Sequence, residues 1–239
     1  MTLITRILHN ALPATCWTCQ SIVDQPGGLC ASCWKGMHWI DDPLCPCCGD
    51  PLPYTQASCS DPQCSASPSD LTFFNRSACL YNGPSRALTL KLKYGRSLGC
   101  AQFMGERMAH VLSRWNIHGV LLPVPLHWSR LIQRRFNQAL WLAQTISQKT
   151  GFRLISGLKR FRRTRSQGHE TPQKRWENVR HAFRWQGKNR PSSVILIDDV
   201  YTTGSTLRAC TLALRQANID TIYSLTFAKV SVNFTLSRS

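Results

Sequence analysis

Two carboxylates stand side by side at Asp198 and Asp199, and a hydroxyl-rich run, Thr202-Thr203-Gly204-Ser205-Thr206, follows them closely. Ionised carboxylates are hydrogen-bond acceptors, so the pair suits a sugar diol, held directly or through magnesium and its waters. The run after them suits a phosphate. Gly204 lets backbone approach an anion closely, and Thr202, Thr203, Ser205 and Thr206 add donors. A helix beginning here would add unpaired N–H groups and the positive end of its dipole. A phosphate on one side and a diol on the other describe a ribose 5-phosphate. The Gly-Lys-Ser/Thr ending of a Walker A loop is missing.

A second chemistry is written in the cysteines. Nine of the twelve fall between residues 16 and 64, and eight of these form pairs: Cys16 with Cys19, Cys30 with Cys33, Cys45 with Cys48, and the wider Cys59 with Cys64. Two thiolates on one turn supply adjacent corners of a tetrahedron, so paired knuckles predict zinc. Sequential pairing gives one site from Cys16, Cys19, Cys30 and Cys33 and a second from Cys45, Cys48, Cys59 and Cys64. Cys47 competes with Cys48 in the second, and a cross-braced pairing stays open. Four knuckles suit metal better than a redox dithiol. Cys79, Cys100 and Cys210 lie in apolar surroundings and read as small buried hydrophobes.

The elements that must position these groups follow from periodicity. Val194–Ile197 is a short, mostly β-branched apolar run, as in a strand buried on both faces. From Leu207 the stripe Leu207, Cys210, Thr211, Leu214 marks a helix. The acids and the loop therefore sit at the carboxyl end of a strand, where open α/β sheets bind ligands. Residues 73–83 read as a strand, 84–115 as a helical pattern interrupted around Lys91–Arg96, Gly119–Val124 as the first central strand of the core, Gly151–Ile155 as another strand, and Asp220–Lys229 as the strand after the phosphate loop. A helix through Leu140-Trp141-Leu142-Ala143 is preceded by Arg130, Arg134, Arg135, Asn137 and Gln138, donors suited to a pyrophosphate. Between Lys159 and Arg184 runs a long basic loop with interleaved aromatics: Arg160, Arg162, Arg163, Arg165, Lys174, Arg175 and Arg180 alongside Phe161, Trp176 and Phe183. Cations that meet phosphates, with rings on which bases stack, form the pattern of single-stranded nucleic acid binding. The polar stretch 65–72 marks a boundary between residues 1–70, a cysteine-knuckle module, and 71–239.

Composition bounds the rest. A formal charge of +17 favours polyanionic partners. Two tetrathiolate zinc sites at −2 each would leave ~+13. No apolar run is long enough to span a membrane, and the segment Met1–Ala14 reads as a short amphipathic helix rather than a secretion signal, so a cytoplasmic protein is expected.

Val194 to Thr206 resembles the phosphoribosyl pyrophosphate signature of the type I phosphoribosyltransferases. Nearly the whole chain resembles the ComF/GntX family, phosphoribosyltransferase-like proteins of DNA uptake and DNA utilisation. The carriers are the cysteine knuckles, Leu90-Lys91-Leu92-Lys93-Tyr94-Gly95-Arg96, Pro123-Val124-Pro125-Leu126, Arg135-Phe136-Asn137-Gln138, the spaced Arg160, Thr164, Gln167, Arg175, Asn178 and Phe183, and the phosphoribosyl signature. One departure is Arg134-Arg135, where the family usually has Arg-Gly. The resemblance implies a type I phosphoribosyltransferase-like α/β core with a parallel sheet behind an N-terminal double zinc ribbon-like module. It implies two zinc ions, magnesium and phosphoribosyl pyrophosphate, with Asp198 and Asp199 on the ribose and as the catalytic acids, and Thr202, Thr203, Gly204, Ser205 and Thr206 on the 5-phosphate. Lys93, Arg130 and Arg135 would face pyrophosphate. Single-stranded DNA would meet Arg160, Arg162, Arg163, Arg165, Arg175 and Trp176, and a DNA-uptake helicase would dock through the zinc module. Two readings follow: a phosphoribosyltransferase with an unknown acceptor, or a non-catalytic DNA-binding adaptor that keeps the pocket as a ligand sensor.

Overall fold

In a computed structural model of the chain, the described residues are 14–55, 57–59, 64, 74–95, 97–128, 131–132, 135–161, 177 and 179–231. The linker 65–72, residues 1–13 of the N-terminal segment, and the tail from 232 lie outside them.

The strand run expected around Val194 is the centre of the molecule. Strand β5 (Ser193–Tyr201) carries Val194, Ile195, Leu196 and Ile197, all fully buried. On one side it pairs in parallel with β6 (Thr221–Lys229), which pairs in parallel with β1 (Phe74–Leu80). On the other side it pairs in parallel with β2 (Val120–Pro123), giving the order β1-β6-β5-β2. The expected strand at 151–155 makes a single parallel bridge, Leu121 with Leu154, beyond β2. β2 is therefore the last full strand of this ladder, with β5 and β6 at its centre, and Pro123 ends its pairing.

Helices cover both faces. After the short α1 (Ala31–Lys35) of the cysteine-rich part, the helical pattern before β2 divides into α2 (Gly83–Tyr94) and α3 (Leu98–Arg114). Asn82 and Ser85 form a reciprocal capping box on α2, and Ser97 accepts from the Cys100 N–H to start α3. Helix α4 (Gln138–Thr150) starts where Asn137 accepts from the Ala139 N–H and stops at Gly151. Ile195, Ile197, Leu225 and Phe227 meet α2, α3 and α4 through Leu88, Leu92, Met104, Met108, Leu142 and Ile146. On the opposite face Val194, Leu196 and Ile222 meet Leu207, Cys210 and Leu214 of α5 (Ser205–Arg215). Cys79, Cys100 and Cys210 are fully buried in these cores, as expected of small apolar side chains. From β5 the chain moves to β6 through α5; from β2 it moves the other way through α4. The carboxyl ends of β5 and β2 thus flank a topological switch point, the usual place for a ligand in such sheets.

The basic stretch is not loop throughout. β3 (Leu158–Arg160) and β4 (Phe183–Trp185) form a short antiparallel pair at its base, with Leu158 and Phe183 buried beside α5. Three-residue strands hold too little alternation to stand out from their flanks. Among the described residues no helix is long and apolar enough to cross a membrane.

The cysteine-rich part joins the sheet at its outer edge. Residues 38–40 add antiparallel pairing to β1: the Ile40 N–H donates to the Ala78 carbonyl and the Leu80 N–H to that of His38. The edge of β1 is thereby covered rather than left open. Lower on the same strand, the Asn75 N–H donates to the Cys47 carbonyl and its side-chain amide to that of Cys48. Gly49 (φ 68°) permits this contact, since a Cβ there would lie 2.5 Å from the Asn75 carbonyl oxygen.

Candidate functional site

Because side chains alternate along a strand, the two adjacent acids point to opposite faces. Asp199 shares the face of Ile195 and Ile197 and meets Lys93, whose Nζ lies 3.1 Å from its Oδ2. Lys93 stands in the last turn of α2 rather than on a solvated face, with only 24% of its side chain exposed. Burial works against its charge, but Asp199 and then Asp198 outweigh that and raise the ammonium above its ordinary range. Asp198 shares the face of Leu196 with α5. Its Oδ1 accepts from the Asp199 N–H at 2.9 Å. Burial first, and then the Asp199 carboxylate, push Asp198 up to about 7, against the pull of that N–H, Lys93 and Arg160. Arg160 of β3 therefore acts on the acid pair.

After Tyr201 the chain turns through Thr202 and Thr203 to Gly204, which caps α5 in the left-handed conformation (φ 69°). A Cβ at 204 would lie 2.7 Å from the Tyr201 hydroxyl, so both conformation and space require glycine. The Thr203 and Ser205 hydroxyls are 2.8 Å apart. No side chain caps the first turn of this eleven-residue helix, whose amino end opens beside the hydroxyls and the acids. Asp198, Asp199, Lys93 and the 202–206 loop are thus one constellation.

Of the residues read as pyrophosphate ligands, Arg135 is exposed and Arg130 lies outside the described residues. Arg135 has φ 64°, the left-handed region that glycine occupies at lowest cost. The backbone shape that a glycine would serve is kept here by an arginine. Of the nucleic-acid residues, Arg160 is in β3, while Arg162, Arg163, Arg165, Arg175 and Trp176 lie outside the described residues.

The structure gathers the eight paired cysteines into two sets of four, Cys16, Cys19, Cys30, Cys33 and Cys45, Cys48, Cys59, Cys64, each with all sulfurs within 4.8 Å of one another. The pairing is sequential rather than cross-braced, and Cys48 rather than Cys47 joins the second set. The chemistry of these donors fits a divalent cation. In the first set the Cys33 N–H, then the Ser21 hydroxyl, pull the Cys30 thiol down to about 6, while burial and the neighbouring thiols Cys19, Cys30 and Cys16 push Cys33 up. Four sulfurs this close ionise together only around a positive ion, and four thiolates in a closed tetrahedron make a structural zinc site.

The second set reaches the acid site through contacts that local sequence patterns did not reveal. Asp50, two residues after Cys48, lies with its Oδ1 3.7 Å from Lys229 Nζ, both side chains almost fully buried. Lys229 ends β6 in register with Tyr201, and its ammonium sits 4.2 Å from the centre of that ring. The Ser231 hydroxyl donates to Asp50 Oδ2. The only signal in the sequence is a lone lysine closing the mostly apolar run Leu225–Ala228.

A family model of the double zinc ribbon domain matches residues 7–65. The DNA utilization protein YhgH of Salmonella typhimurium is 30% identical over 205 residues, 82% of this chain and 88% of that protein. Competence protein F of Haemophilus influenzae is 28% identical over 208 residues, covering 82% and 87%. Competence protein ComFC of Bacillus subtilis is 26% identical over 222 residues, 89% of each chain. An α/β core with a parallel sheet, two tetrathiolate clusters within a double zinc ribbon, and similarity that runs through both parts place this chain in the ComF/GntX family, together with the DNA utilization and competence proteins.

Proposed function

We propose that this protein binds phosphoribosyl pyrophosphate with magnesium at Asp198, Asp199 and the 202–206 loop, and that it serves DNA uptake or utilisation by handling single-stranded DNA. The observation that carries the first part is the acid pair at a switch-point strand end, followed at once by a left-handed glycine that opens the amino end of α5. Asp198 and Asp199 would hold the ribose hydroxyls, and two adjacent carboxylates at one strand end suit a magnesium-bound diol. The hydroxyls and N–H groups of 202–206 would take the 5-phosphate. Lys93 holds Asp199 in place, and Arg135 is available to the leaving pyrophosphate. Magnesium would neutralise charge developing on pyrophosphate as an acceptor nitrogen displaces it. On this reading residues 71–239 are the phosphoribosyltransferase-like domain and 1–70 the zinc module, which would dock a DNA-uptake helicase in the cytoplasm. The DNA part is supported by the names of the relatives, by the +17 charge and by the basic stretch from Lys159.

Calorimetry of the zinc-loaded protein with phosphoribosyl pyrophosphate and magnesium tests the pocket. We expect binding that Asp198→Asn removes; unchanged affinity in that variant would refute the site. Pyrophosphate release with bases, nucleosides and oligonucleotides as acceptors then separates a transferase from an adaptor that only senses the ligand.

A further inference from the structure

The β3–β4 pair has two different faces. Arg160 and Phe183, directly opposite in the ladder, face inward: the guanidinium lies 5.2 Å from the Phe183 ring centre, and its charge acts on Asp198. The outer face carries Lys159 and Arg184, also directly opposite, with Phe161 just beyond the strand where its N–H donates to the Ala182 carbonyl. Phe161 is 50% exposed, and the Arg184 guanidinium stands 5.7 Å from its ring centre. These two residues form one wall of a cleft of about 320 Å³, completed by Arg180, His181, Phe183 and, from the end of α5, Ala213 and Gln216. Among the described residues, no lining residue is acidic. The carboxyl end of α5 adds about half a negative charge, which two guanidinium groups outweigh.

An exposed aromatic ring in a cationic cleft matches one ligand chemistry, a nucleoside phosphate: a flat base to stack on the ring and an anion for the arginines. A cleft of this size is at the lower end of ordinary ligand sites and has room for one nucleotide unit. We infer that this cleft holds one nucleotide of a bound single strand of DNA, its base on Phe161, its flanking phosphates on Arg180 and Arg184, and the Gln216 amide at the base edge. The site lies where these two strands meet the end of α5, and the same strands carry the Arg160 that acts on the acid pair. A strand seated there is carried by the element that borders the phosphoribosyl pocket. This assignment rests on the single-stranded DNA reading above and gives it a location.

The test is fluorescence anisotropy of a labelled twelve-nucleotide oligodeoxythymidine with the full-length, zinc-loaded protein over a salt series. Phe161→Ala should weaken binding by roughly five- to a hundredfold with little change in the salt slope, because stacking releases no counterions. Arg180→Ala with Arg184→Ala should flatten the slope by ~1.4 log units per log unit of salt if each arginine meets one phosphate. Lys188→Ala with Arg190→Ala, exposed and outside the cleft lining, should change it less. Zinc content and thermal midpoint check that each variant is folded. Wild-type binding that is indifferent to all cleft substitutions would leave the DNA reading standing and overturn the cleft. A wild-type protein that binds no oligonucleotide would overturn both. Thymidine monophosphate competing as strongly as the oligonucleotide would show a free-nucleotide site and overturn the strand assignment.

Discussion

Asp198→Asn and Asp199→Asn make the same chemical change at adjacent positions, and the structure requires opposite effects on stability. Asp198 is moved from 3.8 to about 7, by burial and then by Asp199. At 1.36 kcal/mol per unit this corresponds to ~4 kcal/mol; the carboxyl is partly open to water, so ~2 kcal/mol is the working figure. The sign follows from the direction. A carboxyl with a raised folded-state pKa destabilises the fold when ionised, so the penalty is absent below about 3.8, grows as pH rises and is complete above about 7. Asp198→Asn should therefore stabilise the protein by ~2 kcal/mol near pH 8.5, and the gain should shrink by about half near pH 5.5. Asp199→Asn should do the reverse, because it strips the partner from Lys93, which is three-quarters buried. Breaking a buried pair costs about 3–5 kcal/mol; with this ammonium partly open, ~1–3 kcal/mol is expected. Lys93 keeps its charge throughout, since its folded-state pKa is raised above 10.5 and its contribution fades only above that. Urea unfolding of zinc-saturated protein, followed by tryptophan fluorescence at both pH values, gives the comparison. Two losses of equal size, or a gain at Asp198 independent of pH, would refute the two-faced arrangement of the acids.

Elemental analysis of protein purified without chelator should give two zinc ions per chain; Cys48→Ser should lower this to near one, while Cys47→Ser, outside the second set, should leave it at two. Lys229→Met should cost ~3–5 kcal/mol by stranding Asp50 in the core, and Asp50→Asn added to it should recover most of that; equal stability of single and double variants in urea would show that the two charges are not coupled.

What the sequence made legible was local. β5 was visible because four consecutive buried aliphatic residues admit few other readings, and α5 because its apolar stripe begins just after a glycine that must end the turn. The cysteine sets were visible because knuckle spacing is a property of single turns, although excluding Cys47 needed the geometry of the second set. The pairings were not visible. Lys93 and Asp199 are more than a hundred residues apart, and the charge of Lys93 alone suggests a solvated face. The β3–β4 pair is held by tertiary contact with α5, so its strands leave almost no periodic trace. At Arg135 the departure from glycine was legible while the backbone that glycine would serve was not; φ 64° supplies the reason for the family's usual residue.

The pairing that matters most for the molecule as a whole is also the least legible. A zinc ribbon whose knuckles merely sat on a sheet edge would need only backbone contacts such as those of residues 38–40 with β1. Here the turn after Cys48 also sends Asp50 inward to Lys229, and that ammonium lies on the ring of Tyr201, whose hydroxyl fills the space a side chain at Gly204 would take. A buried ion pair stabilises a fold little compared with apolar residues of the same size, so net stability is a poor reason for placing one there. What it does impose is geometry, because each charge is strongly destabilising unless the other is in place. The second cysteine set, the ends of β5 and β6, and the turn into α5 are therefore held in one register. Loss of the metal that organises Cys45, Cys48, Cys59 and Cys64 would be felt at the 202–206 turn through three side chains, Asp50, Lys229 and Tyr201.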